Sequence, residues 1–135
     1  MNDQVPGPEP EDLAAAIGRG LAWGPLNCGA AVRAGFRCEY CGRSLLQSLD
    51  DYYSWEVDHI VPGGPDSLDN YALSCHTCNH VKHRYEPVGN SRSERLEDAR
   101  REVLARRQTK QLELDKLRSI IGSALQSAHW TVRAL

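Results

Sequence analysis

An α+β fold is what this sequence predicts, on three observations. Four of its five cysteines form two Cys-x2-Cys pairs, Cys38-Glu39-Tyr40-Cys41 and Cys75-His76-Thr77-Cys78. The run Tyr52-Tyr53-Ser54-Trp55-Glu56-Val57, continuing to Val61, is aromatic and β-branched in the manner of a strand. From Ser91 onward the composition is helical. Together they describe a small mixed core held by a cysteine-bound metal, with short helices before it and long helices after it.

In chain order, residues 1–10 carry three prolines and two acids and read as a disordered lead-in. Alanine-rich residues 11–21 predict a short helix, closed by Gly18 and Gly20. A second short helix is expected around Gly29 to Ala34, with Gly35 as its stop. The strand over Tyr52 to Val61 breaks at Pro62-Gly63-Gly64-Pro65-Asp66. A helix is then expected from Thr77 to Tyr85, ended by Pro87 and Gly89. Ser91 followed by Glu94 is a capping-box pattern. Beyond it Leu96, Val103, Leu117 and Ala124 keep one heptad phase, with Leu114, Ile121 and Leu125 beside it. The polar stretch Arg106 to Gln111 interrupts that stripe, so the segment is either two helices or one long helix with an exposed middle. Residues 11–90 are expected to form the working domain, and 91–135 a helical extension that packs on the core or on a partner, a second copy included.

Composition narrows the class. With 135 residues, 41% hydrophobic and 25% charged, the chain suits one globular domain. The longest apolar run, Leu13 to Ile17, is five residues, far short of the roughly 20 that cross a bilayer. Met1-Asn2-Asp3-Gln4 has neither a basic nor an apolar leader region, so no membrane association is expected and the expected address is cytoplasmic. The net charge of −2 conceals an uneven distribution. Residues 44–81 hold six acids and no Lys or Arg, whereas residues 82–118 hold eleven basic and seven acidic groups. An acidic centre repels phosphate unless a divalent metal sits in it.

In a reducing cytosol a disulfide framework is disfavoured, and an odd cysteine count leaves one over. A single Cys-x2-Cys could be a redox pair, but two in one chain are the spacing of a closed tetrahedral zinc site. Structural Zn²⁺ at Cys38, Cys41, Cys75 and Cys78 is therefore expected, with Cys28 as a small buried apolar residue.

The 33 residues between the pairs contain Val57-Asp58-His59-Ile60-Val61-Pro62, then Gly63-Gly64, then Asn70. After them comes Cys75-x2-Cys78-Asn79-x2-Lys82-His83. A strand-borne Asp58 with Asn79 and His83, four apart on one helix face, could grip a hard divalent cation with positions left for water and phosphate. His59, beside the aspartate but turned differently, is then available as a base.

This pattern, over about Phe36 to Tyr85, resembles the HNH endonucleases, the ββα-metal nucleases, in their zinc-knuckle variant. The resemblance implies a metal-dependent endonuclease acting on DNA, or on RNA, and leaving a 5′-phosphate and a 3′-hydroxyl. It implies that His59 is the general base and that Asp58 is a ligand of Mg²⁺ or a similar ion. It further implies that Asn70 ties the loop across two strands and fixes the histidine. Asn79 takes the last motif position as a metal ligand, in place of the commoner histidine. His83 stands where some relatives place a further histidine, against which a solvent-facing or phosphate-contacting histidine is the alternative. Asp66 and Asp69 stand where relatives often carry lysine or serine. Lys82 and Arg84 are candidates for phosphate contact. Trp55 is read as a core residue before a base-stacking one. Arg100-Arg101 and Arg106-Arg107 are either a phosphate rail or a solvated face paired with Glu97 and Glu102. The competing function is a catalytically idle zinc-knuckle module that binds nucleic acid or protein, against which the intact Asp58-His59 pair speaks.

Overall fold

A computed structural model describes residues 10–128. The expected lead-in falls outside these residues except for Pro10, which already opens the first helix, and the last residues of the extension fall outside as well. The elements are α1 (Pro10–Leu21), α2 (Pro25–Arg33), α3 (Leu49–Ser54), β1 (Trp55–His59), β2 (Tyr71–Cys75), α4 (His76–Lys82) and α5 (Arg92–Ala128). The fold is α+β, and β1, β2 and α4 in succession make its ββα centre. No described helix is long and apolar enough to cross a membrane.

β1 and β2 pair antiparallel, with Asp58 opposite Ala72 and His59 opposite Tyr71. Every residue of β2 is buried, because the first knuckle adds to its free edge. The Glu39 amide donates to the Leu73 carbonyl (2.8 Å), and the Leu73 amide donates to Glu39 Oε2 (2.8 Å). The core gathers Tyr40, Leu45, Ile60 and Leu73 with the knuckle cysteines, and α5 closes it with Ala99 and Val103.

Three expected elements, the strand, α2 and α4, differ in extent from the sequence expectation, and α5 takes the second of its two alternatives. The strand begins at Trp55, not Tyr52, because Ser48 caps a helical turn: its Oγ accepts from the Asp51 amide (3.0 Å). Acidic Asp50 and Asp51 suit that first turn, and Arg43 pairs with buried Asp51. The strand also ends two residues early, at His59. α2 starts at Pro25, the position where a missing N–H costs nothing, while Gly35 (φ +62°) does end it. α4 stops at Lys82, since His83 takes φ +51° and leaves the helix. α5 is one continuous helix of 37 residues. Its start is capped as expected: the Glu94 amide donates to Ser91 Oγ (3.1 Å) and the Asn90 amide to Glu94 Oε2 (2.7 Å).

Candidate active site and metal centre

Both cysteine pairs are knuckles. In each, the amide of the second cysteine donates to the sulfur of the first, from Cys41 to Cys38 Sγ and from Cys78 to Cys75 Sγ, both at 3.4 Å. The first turns on Gly42 (φ +79°), and the second is also the N-terminus of α4, with Cys75 as its cap. All four sulfurs lie within 4.8 Å of one another, and Cys41 and Cys75 are 3.9 Å apart. Tetrahedral zinc with bonds of about 2.3 Å places its sulfurs about 3.8 Å apart, so the donor set fits that ion. Arg107 Nη1 reaches Cys78 Sγ at 3.5 Å. Burial disfavours the Arg107 charge, yet the sulfurs of Cys78, Cys41 and Cys75 carry its pKa above the ordinary arginine value. Cys28 stands apart, buried under α1 and donating to the Trp23 carbonyl (3.8 Å).

A second site opens where β1 ends. A small pocket of about 270 Å³ is lined by Val57, Asp58, His59, Pro62, Gly63, Asn79 and His83. Four residues singled out from the sequence thus meet in one place. Asp58 is nearly buried, and its Oδ2 accepts from the Tyr40 hydroxyl (2.5 Å) and pairs with Lys82 Nζ (3.2 Å). Its Oδ1 makes no hydrogen bond and is not among the orphaned buried atoms, so it is the oxygen open to the pocket. Burial raises the Asp58 pKa, and the Tyr40 hydrogen bond and the Lys82 charge counter that only in part. Burial, and then the Asp58 charge, push the Tyr40 phenol up in turn.

His59 donates through Nε2 to Asp66 Oδ1 (2.6 Å) and sets its ring edge-on to Tyr71 (centroids 5.2 Å apart). An ionised carboxylate only accepts, so this contact puts the ring proton on Nε2 and leaves Nδ1 as the basic nitrogen. Asp66 is held below the usual carboxylate range by that same bond. Asn70 staples the loop after β1. The Val61 amide donates to its Oδ1 (2.9 Å), and its Nδ2 donates to the carbonyls of Val61 and Pro65, both at 3.2 Å. A Cβ on Gly64 would lie 2.7 Å from Asn70 Nδ2, so the staple requires glycine there. Asn79 Nδ2 donates to Glu56 Oε2 (2.5 Å), which leaves its amide oxygen without a hydrogen bond. His76 engages the other Glu56 oxygen (2.8 Å). Burial alone would raise the Glu56 pKa, but these two hydrogen bonds outweigh it and hold the carboxyl low.

Two expectations are corrected. Lys82 is 0% exposed and donates to the His59 carbonyl (3.1 Å) as well as pairing with Asp58, so it lies behind the site and meets no phosphate. His83 does not share a helix face with Asn79, although the turn that ends α4 still brings it to the pocket. Arg84 is exposed and makes no hydrogen bond or ion pair among the described residues. Arg106 donates to the Val81 and Lys82 carbonyls (2.9 Å each), closing the C-terminal end of α4. With Arg107 on a knuckle sulfur, only Arg100 and Arg101 of the supposed rail face solvent.

Sequence reading missed Tyr40, Glu56 and Asp66 as parts of the site. Glu56 was findable, because it stands two residues before Asp58 and so on the same side of the strand. Nothing in the sequence linked Tyr40 to Asp58.

Asp58, Asn79 and His83 offer an open carboxylate oxygen, an amide oxygen and an imidazole, a donor set that suits a hard divalent cation with water completing its shell. Among the described residues, the cysteines are the cluster in which four His, Cys, Asp or Glu ligand atoms converge. No curated protein and no solved structure matches the chain. The family model of the HNH endonucleases does match, over residues 38–85; that segment holds both knuckles, β1, β2 and α4, and the match bears out the resemblance carried by its motif.

Proposed function

We propose that the chain is a metal-dependent endonuclease that hydrolyses phosphodiester bonds of DNA, with residues 11–90 as the catalytic unit. The observation that carries this is the convergence of Asp58, His59, Asn79 and His83 on one pocket at the end of β1. His59 Nδ1 takes a proton from the attacking water, while Asp66 on Nε2 steadies the ring and balances the charge it gains. Asn70 keeps the loop, and with it the histidine, in place. A loss of about 10²-fold is the scale expected for a misplacement of one ångström. Asp58, Asn79 and His83 would hold Mg²⁺ or a similar ion, which when bound stabilises charge on the phosphoryl oxygens and the leaving oxygen. Arg84 supplies a phosphate contact from outside, and the products are a 5′-phosphate and a 3′-hydroxyl.

The four cysteines hold structural zinc. RNA is the other substrate this chemistry reaches, and the expected location is the cytoplasm. The distal half of α5 presents Leu112, Leu114, Leu117, Ile120 and Ile121 to solvent, which supports a role for residues 91–135 in pairing with a second copy or a protein partner. Plasmid nicking with Mg²⁺ tests the enzyme. His59→Ala is expected to cut ~10²- to 10⁴-fold more slowly. Cleavage unchanged by that substitution removes His59 from the mechanism. No cleavage with any divalent ion leaves the idle binding module as the reading.

A further inference from the structure

We infer that the aromatic pocket beside His59 is a subsite for one unpaired nucleobase of the strand being cut; this rests on the phosphodiesterase reading above. The pocket has a volume of about 540 Å³, and Trp23, Tyr52, Tyr53, Trp55, Asn27 and His59 are among its walls. The rings form one assembly. Trp23 lies near-parallel to Tyr52 (25° between planes, centroids 6.3 Å apart) and meets Trp55 edge-on at 4.8 Å. Tyr53 stands perpendicular to Tyr52 at 5.9 Å and is 79% exposed. Tyr52 and Tyr53 are exposed, whereas Trp23 and Trp55 are half-buried, Trp55 against the core as expected, so the two tyrosines in particular offer flat faces on which a base can stack.

The pocket adjoins the candidate active site, since Val57 and His59 line both. A strand whose phosphate reaches His59 therefore brings a neighbouring base to the aromatic rings. The pocket selects the base rather than the phosphate. No Lys or Arg lines it, and its one charged wall, Glu56, is acidic and already engaged by His76 and Asn79. Asn27 makes no side-chain hydrogen bond among the described residues, so its amide can both donate to and accept from the edge of a base. A base held this way has left its duplex partner, so the preferred substrate is single-stranded, bulged or flapped DNA.

The test uses the zinc-loaded full chain with its pocket intact, titrated without added magnesium with a single-stranded oligonucleotide carrying one 2-aminopurine. Stacking quenches that base. Quenching is expected on binding, together with weaker binding of the matched duplex. Tyr53→Ala, which removes an exposed ring and little packing, is expected to weaken single-strand binding ~10-fold, the scale of one stacked base. In the active chain the same substitution is expected to raise KM on single strands more than it lowers kcat. Quenching by a chain that never cleaves upholds the base subsite and discards the nuclease reading. Cleavage with no quenching, no preference for unpaired DNA and no effect of Tyr53→Ala overturns the subsite and leaves the nuclease reading standing.

Discussion

Tyr40 donates its phenolic hydrogen bond to Oδ2 of Asp58. The tyrosine lies between two zinc-spaced cysteines and the aspartate lines the candidate catalytic pocket, so the two sites share one contact inside the core. Tyr40→Phe keeps the ring and removes the hydroxyl. A buried hydrogen bond to a charged acceptor contributes ~1.5–3 kcal/mol, and a loss on that scale is expected in denaturant unfolding, with zinc content unchanged and cleavage reduced. Unfolding midpoints that coincide with wild type would show the contact to be energetically idle.

Lys82 gives a sharper contrast. A phosphate-contacting lysine could be replaced at little cost in stability, whereas this one neutralises a buried carboxylate. Lys82→Met strands Asp58 without its charge partner, and breaking a buried pair from one side costs about 3–5 kcal/mol. Thermal unfolding of the variant decides between the two roles. A melting temperature close to wild type, with weakened DNA binding, would return Lys82 to the phosphate contacts.

Removal of the zinc is expected to unfold the centre of the molecule. The knuckles form the edge of β2, the cap of α4 and the anchor of Arg107, so Cys38→Ser undoes several contacts at once. Elemental analysis of the wild type should return one tightly held zinc per chain, and the variant should return little and lose its cooperative transition. Full cooperativity in a zinc-free chain would assign the cysteines another role.

Acid should loosen the base of α5. The Asp98 carboxylate accepts from the Val88 amide and the Tyr85 hydroxyl, both at 2.9 Å, and these bonds hold its pKa below the usual value. A carboxyl depressed in the folded state stabilises fully above its unfolded pKa of about 3.9, and that support is lost as pH falls through the lower folded value. Melting temperatures measured between neutral pH and pH 3 should therefore fall more steeply for wild type than for Asp98→Asn. Parallel curves would remove Asp98 from the acid response.

What the sequence disclosed followed from how local each signal was. The knuckles, the cap at Ser91 and the stop at Gly35 depend on a few neighbouring residues, and all are present as read. β2 was legible only as an implication of the family resemblance, because Tyr-Ala-Leu-Ser-Cys lacks β-branched residues and takes its extended form from pairing with β1 and Glu39. The aromatic signal at Tyr52 and Tyr53 was overruled by a cap at Ser48 and the Arg43–Asp51 pair. Asp58, His59, Asn79 and His83, singled out by their order in the chain, line one pocket, His83 from the turn after α4 rather than from its face, whereas the direction of Lys82 was not legible. A seven-residue helix has one side toward the core, and position alone did not say that the lysine was on it.

The placement of Tyr40 also sets an order of events in time. A growing chain synthesises Asp58 and His59 before Cys75 and Cys78, so the first pocket residues exist before the fourth sulfur does. Tyr40 stands between Cys38 and Cys41, so whatever fixes the first knuckle also fixes the hydroxyl from which Asp58 accepts. The sulfur cluster and the pocket are thus completed by the same short stretch of chain, Cys75 to His83.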